Sequence, residues 1–229
     1  MPPTFQKIEP ISKKTQILAS LREAIASGAI RSGEQIVEGK LAQQLGVGQG
    51  LIREALIELE HQGFVQRRPF AGTQVTELTL EDAKQIYDLR IELETLAFVL
   101  AGPNAHGQNL IELKAMAEKA SIASKAGDLD AFFEHHLAFR RKVWAMSGNR
   151  FLQQTLERVV IPLYALYVIR QSYNLEGILQ TTIDCTEHQD RILTAYDQHG
   201  FEEAREIARN FLRKMKEYLG TRLPPASTV

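Results

Sequence analysis

Two helical stripes hold the side chains of this chain best suited to chemistry. Phe133, His136, Arg140 and Val143 recur at spacings of three and four, so a histidine and an arginine share an otherwise apolar helix face. Cys185, His188, Ile192 and Ala195 repeat the pattern and turn a second histidine inward. On a further helix, Ile86, Leu89, Leu93 and Leu100 read as the core face, with Arg90 at its edge. Buried charge is costly unless paired. Arg90 and Arg140 come without matching buried acids, which implies a structural partner or an anionic ligand. The planar fork of a guanidinium fits a carboxylate or phosphate, so anion binding is the chemistry suggested. A plainer alternative pairs Arg140 with a core acid such as Asp184 and leaves both histidines as satisfied core residues. A third has a metal held by His136 and His188 with Glu134 or Asp184, or by His135 if the register slips. Tyr164, Tyr167 and Arg170, beyond Pro162, are placed to line the same cavity, although aromatic packing in a bundle accounts for them too.

A different chemistry is suggested by residues 41–75. Leu41, Ala42 and Leu45 sit on a short helix that Gly46 stops, and Gly48-Gln49-Gly50 opens a second helix running to about His61. Gly63 ends it, Phe64 to Arg68 alternates as a strand, and Ala71-Gly72-Thr73 turns it back into Gln74-Val75. Two helices and a hairpin in this order predict a winged helix-turn-helix, which places its second helix in the DNA major groove. Gln49 and Arg53 then face the duplex, Arg67 and Arg68 flank the wing, and Gly72 lets its backbone approach the minor groove. A winged helix used for protein contacts, and a solvated Arg67-Arg68 pair, are the plainer readings. Lys13-Lys14 reads as a solvated helix start.

The elements that must position these residues fall into two parts. Residues 1–76 form the winged head: an arm over 1–10, an amphipathic helix over 14–27 ended by Gly28, then the helix pair and hairpin. Residues 77–79 are a linker. Residues 80–220 show only helical periodicity, with helices expected at about 80–101, 107–126, 129–147, 150–173, 176–198 and 201–219. The breaks at Gly102-Pro103-Asn104, Gly127-Asp128, Gly148-Asn149, Asn174 and Gly200 are short, which predicts an antiparallel bundle. Residues 221–229 read as a flexible tail. The expected class is mostly α.

Bulk composition narrows the function. The 229 residues allow two modest domains. No apolar run reaches membrane-spanning length and no signal-peptide core opens the chain, so a cytoplasmic protein without membrane contact is expected. One cysteine, Cys185, excludes an intramolecular disulfide framework and a cysteine-based zinc site. Residues 1–78 carry nine Lys/Arg against eight Asp/Glu, so DNA binding would rely on local patches and on a dimer. An enzyme is not expected: His188-Gln189-Asp190 lacks the adjacent His-Asp pair of metal-dependent phosphohydrolases, His135-His136 lacks the acid, and neither a phosphate-cradling glycine loop nor a nucleophile elbow occurs.

Leu21-Arg22-x-x-Ile25-x-x-Gly28, Gly33-Glu34, Glu38, Leu41-Ala42, Gly46-Val47, Arg53-Glu54-Ala55-Leu56 and Gly63 together resemble the head of the GntR superfamily of transcription regulators. Arg90-x-x-Leu93-Glu94, Gly127-Asp128, Phe139, Ser147-Gly148-Asn149 and Glu187-His188 are similar to the FadR subfamily and its all-helical FCD effector domain. The resemblance spans roughly residues 14–220. It implies a homodimer that binds operator DNA and answers to a small metabolite, most commonly as a repressor relieved by ligand. The chain departs from the family where it would read DNA: Gly48 stands for a capping serine, and Gln49 for an arginine. Arginine grips guanine through two bonds whereas glutamine suits adenine, so an operator less dependent on guanine is expected at that step.

The resemblance also implies a ligand set. Many FCD bundles hold a divalent metal, such as zinc or nickel, with one Asp and three His. Here the corresponding positions are His136, Arg140, His188 and about Asn210. An arginine cannot ligate a metal. The expectation is therefore that Arg140 replaces the metal, and that Arg90, His136, His188 and Asn210 complete an anion site. A metal through His136 and His188 and an acyl-CoA-type sensor remain alternatives. A DNA-binding architectural protein without effector is another, against which the inward polar stripes argue.

Overall fold

The computed structural model describes residues 12–26, 29–68, 72–170 and 175–222. The expected arm over 1–10, the Gly28 stop, the Asn174 break, Ala71 in the hairpin turn and the tail beyond Arg222 lie outside these residues. The chain divides after Val75 into two compact units.

In the first unit, α1 (Lys13–Ala26) buries Ile17, Leu21 and Ile25. α2 (Glu38–Leu45) ends where Gly46 takes a left-handed φ of 63°, a conformation that costs glycine little. α3 (Gln49–His61) buries Ile52, Ala55, Leu56 and Leu59, at the spacing of one helix face. β2 (Val65–Arg68) and β3 (Gly72–Val75) pair antiparallel with Gln66 opposite Gln74. The sequence reading missed a third strand. β1 (Gln35–Ile36) pairs with β3, Gln35 opposite Gln74, and makes β3 the middle strand. Two residues are too few to show a period of two, so no alternation betrays it.

Among the described residues, the regular elements of the second unit are all helical: α4 (Leu80–Ala101), a 3-10 turn (Gly102–Asn104), α5 (Gly107–Ala126), α6 (Leu129–Met146), α7 (Arg150–Arg170), α8 (Leu175–Asp197), α9 (Phe201–Glu217) and a last turn α10 (Leu219–Arg222). Local chemistry sets the starts. Thr79 and Asp82 form a reciprocal capping box at α4, and Asp128 accepts from the Ala131 N–H at α6. α4 packs on α9, α6 and α7, while α5 packs on α6 and α8. Phe98, Leu113, Phe139, Val143, Ile192 and Tyr196 lie in the shared core, and the Tyr196 hydroxyl donates to the Phe98 carbonyl at 2.9 Å.

α4 is oriented opposite to the sequence reading. Ala83, Tyr87, Arg90, Ile91, Glu94, Ala97, Phe98 and Ala101 face inward. Leu89 is 51% exposed, Leu96 40% and Leu100 37%, with Ile86 and Leu93 partly covered. The helix carries two apolar stripes. The inner one is rich in alanine, which lets neighbouring helices approach closely. The outer one is a row of branched aliphatics that the protomer leaves exposed at Leu89, Leu96 and Leu100.

Candidate functional site

Five helices of the bundle converge on a polar centre. α4 supplies Tyr87, Arg90 and Glu94, α6 supplies His136 and Arg140, α7 Tyr164, α8 Cys185 and His188, and α9 Phe211. The stripes anticipated on α6 and α8 do point inward: Phe133, His136, Arg140 and Val143 are buried, as are Cys185, His188, Ile192 and Ala195. Arg90 lies inside as well, 4% exposed rather than at an edge.

Both arginines meet a buried acid that the sequence reading overlooked. Glu94, wholly inaccessible, accepts through Oε2 from Arg90 Nε at 3.1 Å and from Arg140 Nη1 at 3.0 Å. Arg90 Nη2 also lies 3.1 Å from that oxygen. The signal was available, since Glu94 follows Arg90 by one helical turn. Asp184, the acid offered for Arg140 in the plainer alternative, instead has Lys214 at 3.8 Å. One carboxylate thus serves two guanidiniums, and the service is incomplete. Nε and Nη2 of Arg140 have no hydrogen-bond partner, nor has Oε1 of Glu94. Nε and Nη2 form the side-on edge of a guanidinium, the edge that matches a carboxylate with two parallel bonds.

The surroundings are aromatic and keep the histidines neutral. Arg90 lies over the Tyr87 ring at 4.7 Å, and Arg140 lies 5.6 Å from the Phe98 ring and 5.8 Å from that of Phe211. His136 stacks on Phe132, and His188 stacks on Phe211 with centroids 4.1 Å apart. Burial holds both imidazoles well below the usual histidine range, and the Arg140 charge lowers them further. Gln189 stands near enough to His136 to oppose this slightly, yet neither of its amide atoms reaches hydrogen-bond geometry. Burial also raises the Tyr164 hydroxyl, which has no partner. The cavity among these groups measures about 20 Å³, roughly the room of one water. Any effector enters by moving side chains apart.

One expected site residue and one alternative reading do not match the structure. Asn210 is exposed, because the inward row of α9 is Ile207, Ala208, Phe211, Leu212 and Met215, and it is Phe211 that covers His188. A metal does not fit these residues. Among the described residues no three His, Cys, Asp or Glu side chains gather as ligands. Glu134 is exposed, His135 half-buried, and a cation beside His136 and His188 would face the Arg140 charge. Tyr164 lines the cavity; the side chains of Tyr167 and Arg170 lie outside the described ones.

The head presents the second surface. Gly48 caps α3 without a side-chain bond, and Gln49 and Arg53 stand exposed one turn apart on that helix. Arg53 is already engaged: its Nε and Nη2 donate to Glu38 Oε2 at 3.1 and 2.9 Å. The Gln49 amide nitrogen lies 3.1 Å from where a Cβ on Gly39 would stand, so α2 offers it a flat seat. Arg67 and Arg68 are exposed on β2, with Arg67 Nε 3.5 Å from Glu60. Gly72 takes a φ of 76°, which fits a glycine in the turn whether or not DNA comes near. Glu38 is the residue that the sequence reading left out of this surface.

Comparison with known proteins agrees with this architecture. Residues 13–75 match the family described as bacterial regulatory proteins, gntR family, and residues 85–214 match the FCD domain. The HTH-type transcriptional regulator McbR of Escherichia coli is 29% identical over 69% of this chain and 71% of its own. YdhC of Bacillus subtilis, named as an uncharacterized HTH-type transcriptional regulator, is 32% identical over 68% and 70%. The probable D-xylose utilization operon transcriptional repressor of Paenarthrobacter nicotinovorans is 26% identical over 75% and 76%. The solved structure of E. coli McbR has a TM-score of 0.67 at 23% identity, over 92% of this chain and 98% of that one, a likeness of fold.

Proposed function

The chain belongs to the gntR family of bacterial regulatory proteins and carries an FCD domain; it is a transcriptional regulator and not an enzyme, and we propose that it is a homodimeric repressor controlled by a small anionic metabolite. The head binds a pseudo-palindromic operator through Gln49 and Arg53 on α3, with Arg67, Arg68 and Gly72 at the wing. The bundle binds a carboxylate at Arg140, beside Arg90, His136 and His188. The observation that carries this reading is the side-on edge of Arg140, fully buried and without a partner. Groups so placed are costly unless something satisfies them. The exposed aliphatic row of α4 supports the homodimer, and the relative named as a probable repressor supports the sign of regulation. No helix among the described residues is long and apolar enough to cross a membrane, and a cytoplasmic location is part of the proposal. The effector acts by binding the two head arrangements of the dimer with unequal affinity.

The test is selection of binding sites from a random duplex pool with full-length protein, followed by anisotropy on the winning site with small carboxylates and chelator present. An inverted repeat whose affinity falls on adding a carboxylate supports the proposal. Failure to enrich any duplex, or binding that no carboxylate changes, overturns it.

A further inference from the structure

The walls around Arg140 indicate what kind of carboxylate it takes. Of the side chains lining the cavity, every one is buried except Phe211, which is half-buried. Its ring stacks on His188 with the planes only 10° apart, and it lies within 5.8 Å of the Arg140 guanidinium. An aromatic ring therefore already packs beside the Arg140 guanidinium, from the least buried of the lining positions. The remaining walls are Tyr87, Phe133, Tyr164 and Met215, which give a flat apolar body edge and sulfur contacts.

Hydroxyl-matching groups are few. The Thr181 hydroxyl already donates to the Gly177 carbonyl; apart from Arg140, the Tyr164 hydroxyl and His136 Nδ1 are the lining atoms without partners, while the unpartnered atoms of His188, Gln189 and Glu94 do not line the cavity. A sugar acid with several hydroxyls would leave most of them unmet, each at a cost. A second carboxylate would fare badly too, because the Glu94 carboxyl group already faces Arg140 and Arg90 and its Oε1 is unbonded.

Resting on the reading of Arg140 as an anion site, we propose that the effector is an aromatic monocarboxylate. Its carboxylate accepts from Nε and Nη2 of Arg140, and its ring takes the slot that Phe211 fills in the free protein. A single ring hydroxyl is matched by Tyr164.

Full-length protein titrated calorimetrically with benzoate, 4-hydroxybenzoate, gluconate and succinate, all with chelator, tests the class. Arg140→Lys keeps a cation for Glu94 and loses the fork; Phe211→Ala empties the slot in advance. Benzoate or 4-hydroxybenzoate binding that falls at least tenfold in Arg140→Lys and rises at least threefold in Phe211→Ala is the expected result. Arg140-dependent binding of gluconate or succinate with the aromatic acids silent overturns the class and leaves the anion site standing. No binding of any of the four overturns both. Aromatic binding that Arg140→Lys leaves unchanged, or that Phe211→Ala weakens, overturns the placement.

Discussion

Arg140 donates from Nη1 to Oε2 of Glu94 at 3.0 Å, and neither side chain is more than 1% exposed. The same oxygen takes Arg90, so Glu94 is the internal counter-ion of both guanidiniums. Removing one partner of a buried pair strands the other charge, at a typical cost of about 3–5 kcal/mol. Glu94→Ala should therefore lower the denaturant midpoint sharply with an unchanged slope. Acetate or formate, small enough to stand where the side chain was, should restore part of the loss. An equal effect of chloride at the same ionic strength would mean that simple screening, not replacement of the carboxylate, is at work.

The two buried histidines give the bundle a pH dependence whose sign follows from their environment. His136 and His188 are held below the ordinary value near 6.5, first by burial and then by the Arg140 charge. Above that value both are neutral, folded or unfolded, and contribute no slope. As the pH falls below it, the unfolded chain takes up protons that the folded chain refuses, so stability is lost at up to about 1.4 kcal/mol per pH unit for each histidine. Denaturant melts from pH 8 to 5 should decline below about 6.5, and His188→Phe, whose ring still stacks on Phe211, should remove about half of the slope. A flat profile in the unmodified protein would refute this.

Much of this arrangement is legible in the amino-acid sequence, and what is not has physical causes. The bundle helices end where Gly46-like stops and short polar breaks occur, at Gly127-Asp128 or Gly148-Asn149, because a left-handed glycine or a capping acid acts locally. The inward stripes of α6 and α8 were legible because each helix has one apolar face. α4 has two, both at helical period, and periodicity cannot say which of them meets its own chain. Glu94 escaped because a buried acid looks like any other i+4 charge until the facing helix supplies Arg140. Asn210 was carried over by likeness to a ligand set that this chain lacks, one residue away from Phe211, and on α9 one residue is a turn of about 100°.

The second stripe of α4 leads to a prediction about assembly. Ile86, Leu89, Leu93, Leu96 and Leu100 alternate spacings of three and four, the pattern by which one helix seam meets another. In a two-fold dimer the same row faces itself, which makes the contact self-complementary. Leu96→Lys puts a charge into the row at an exposed position, away from the protomer core. Sedimentation equilibrium should show the unmodified chain as a dimer and Leu96→Lys as a folded monomer with unchanged helical circular dichroism. Persistence of the dimer in the variant would move the interface elsewhere.

On the head, Glu38 and Gln49 should shape operator choice in different ways. Arg53 spends its Nε and Nη2 on Glu38, so it cannot also grip a guanine through them while that pair holds. Glu38→Gln frees the arginine and removes a negative charge from the surface proposed to face DNA. Affinity should rise for all duplexes alike, and the salt dependence should steepen by about one phosphate contact. Gln49 has no ionic partner to leave, and its amide offers a donor and an acceptor to adenine. Gln49→Arg should therefore change preference at one base step only, toward guanine, by about 1–3 kcal/mol. Anisotropy on a selected operator and its single-base variants, at fixed salt, separates the two effects. If Gln49→Arg scales every site equally, the side chain contacts phosphate rather than a base, and the departure from the family's arginine has no bearing on sequence choice.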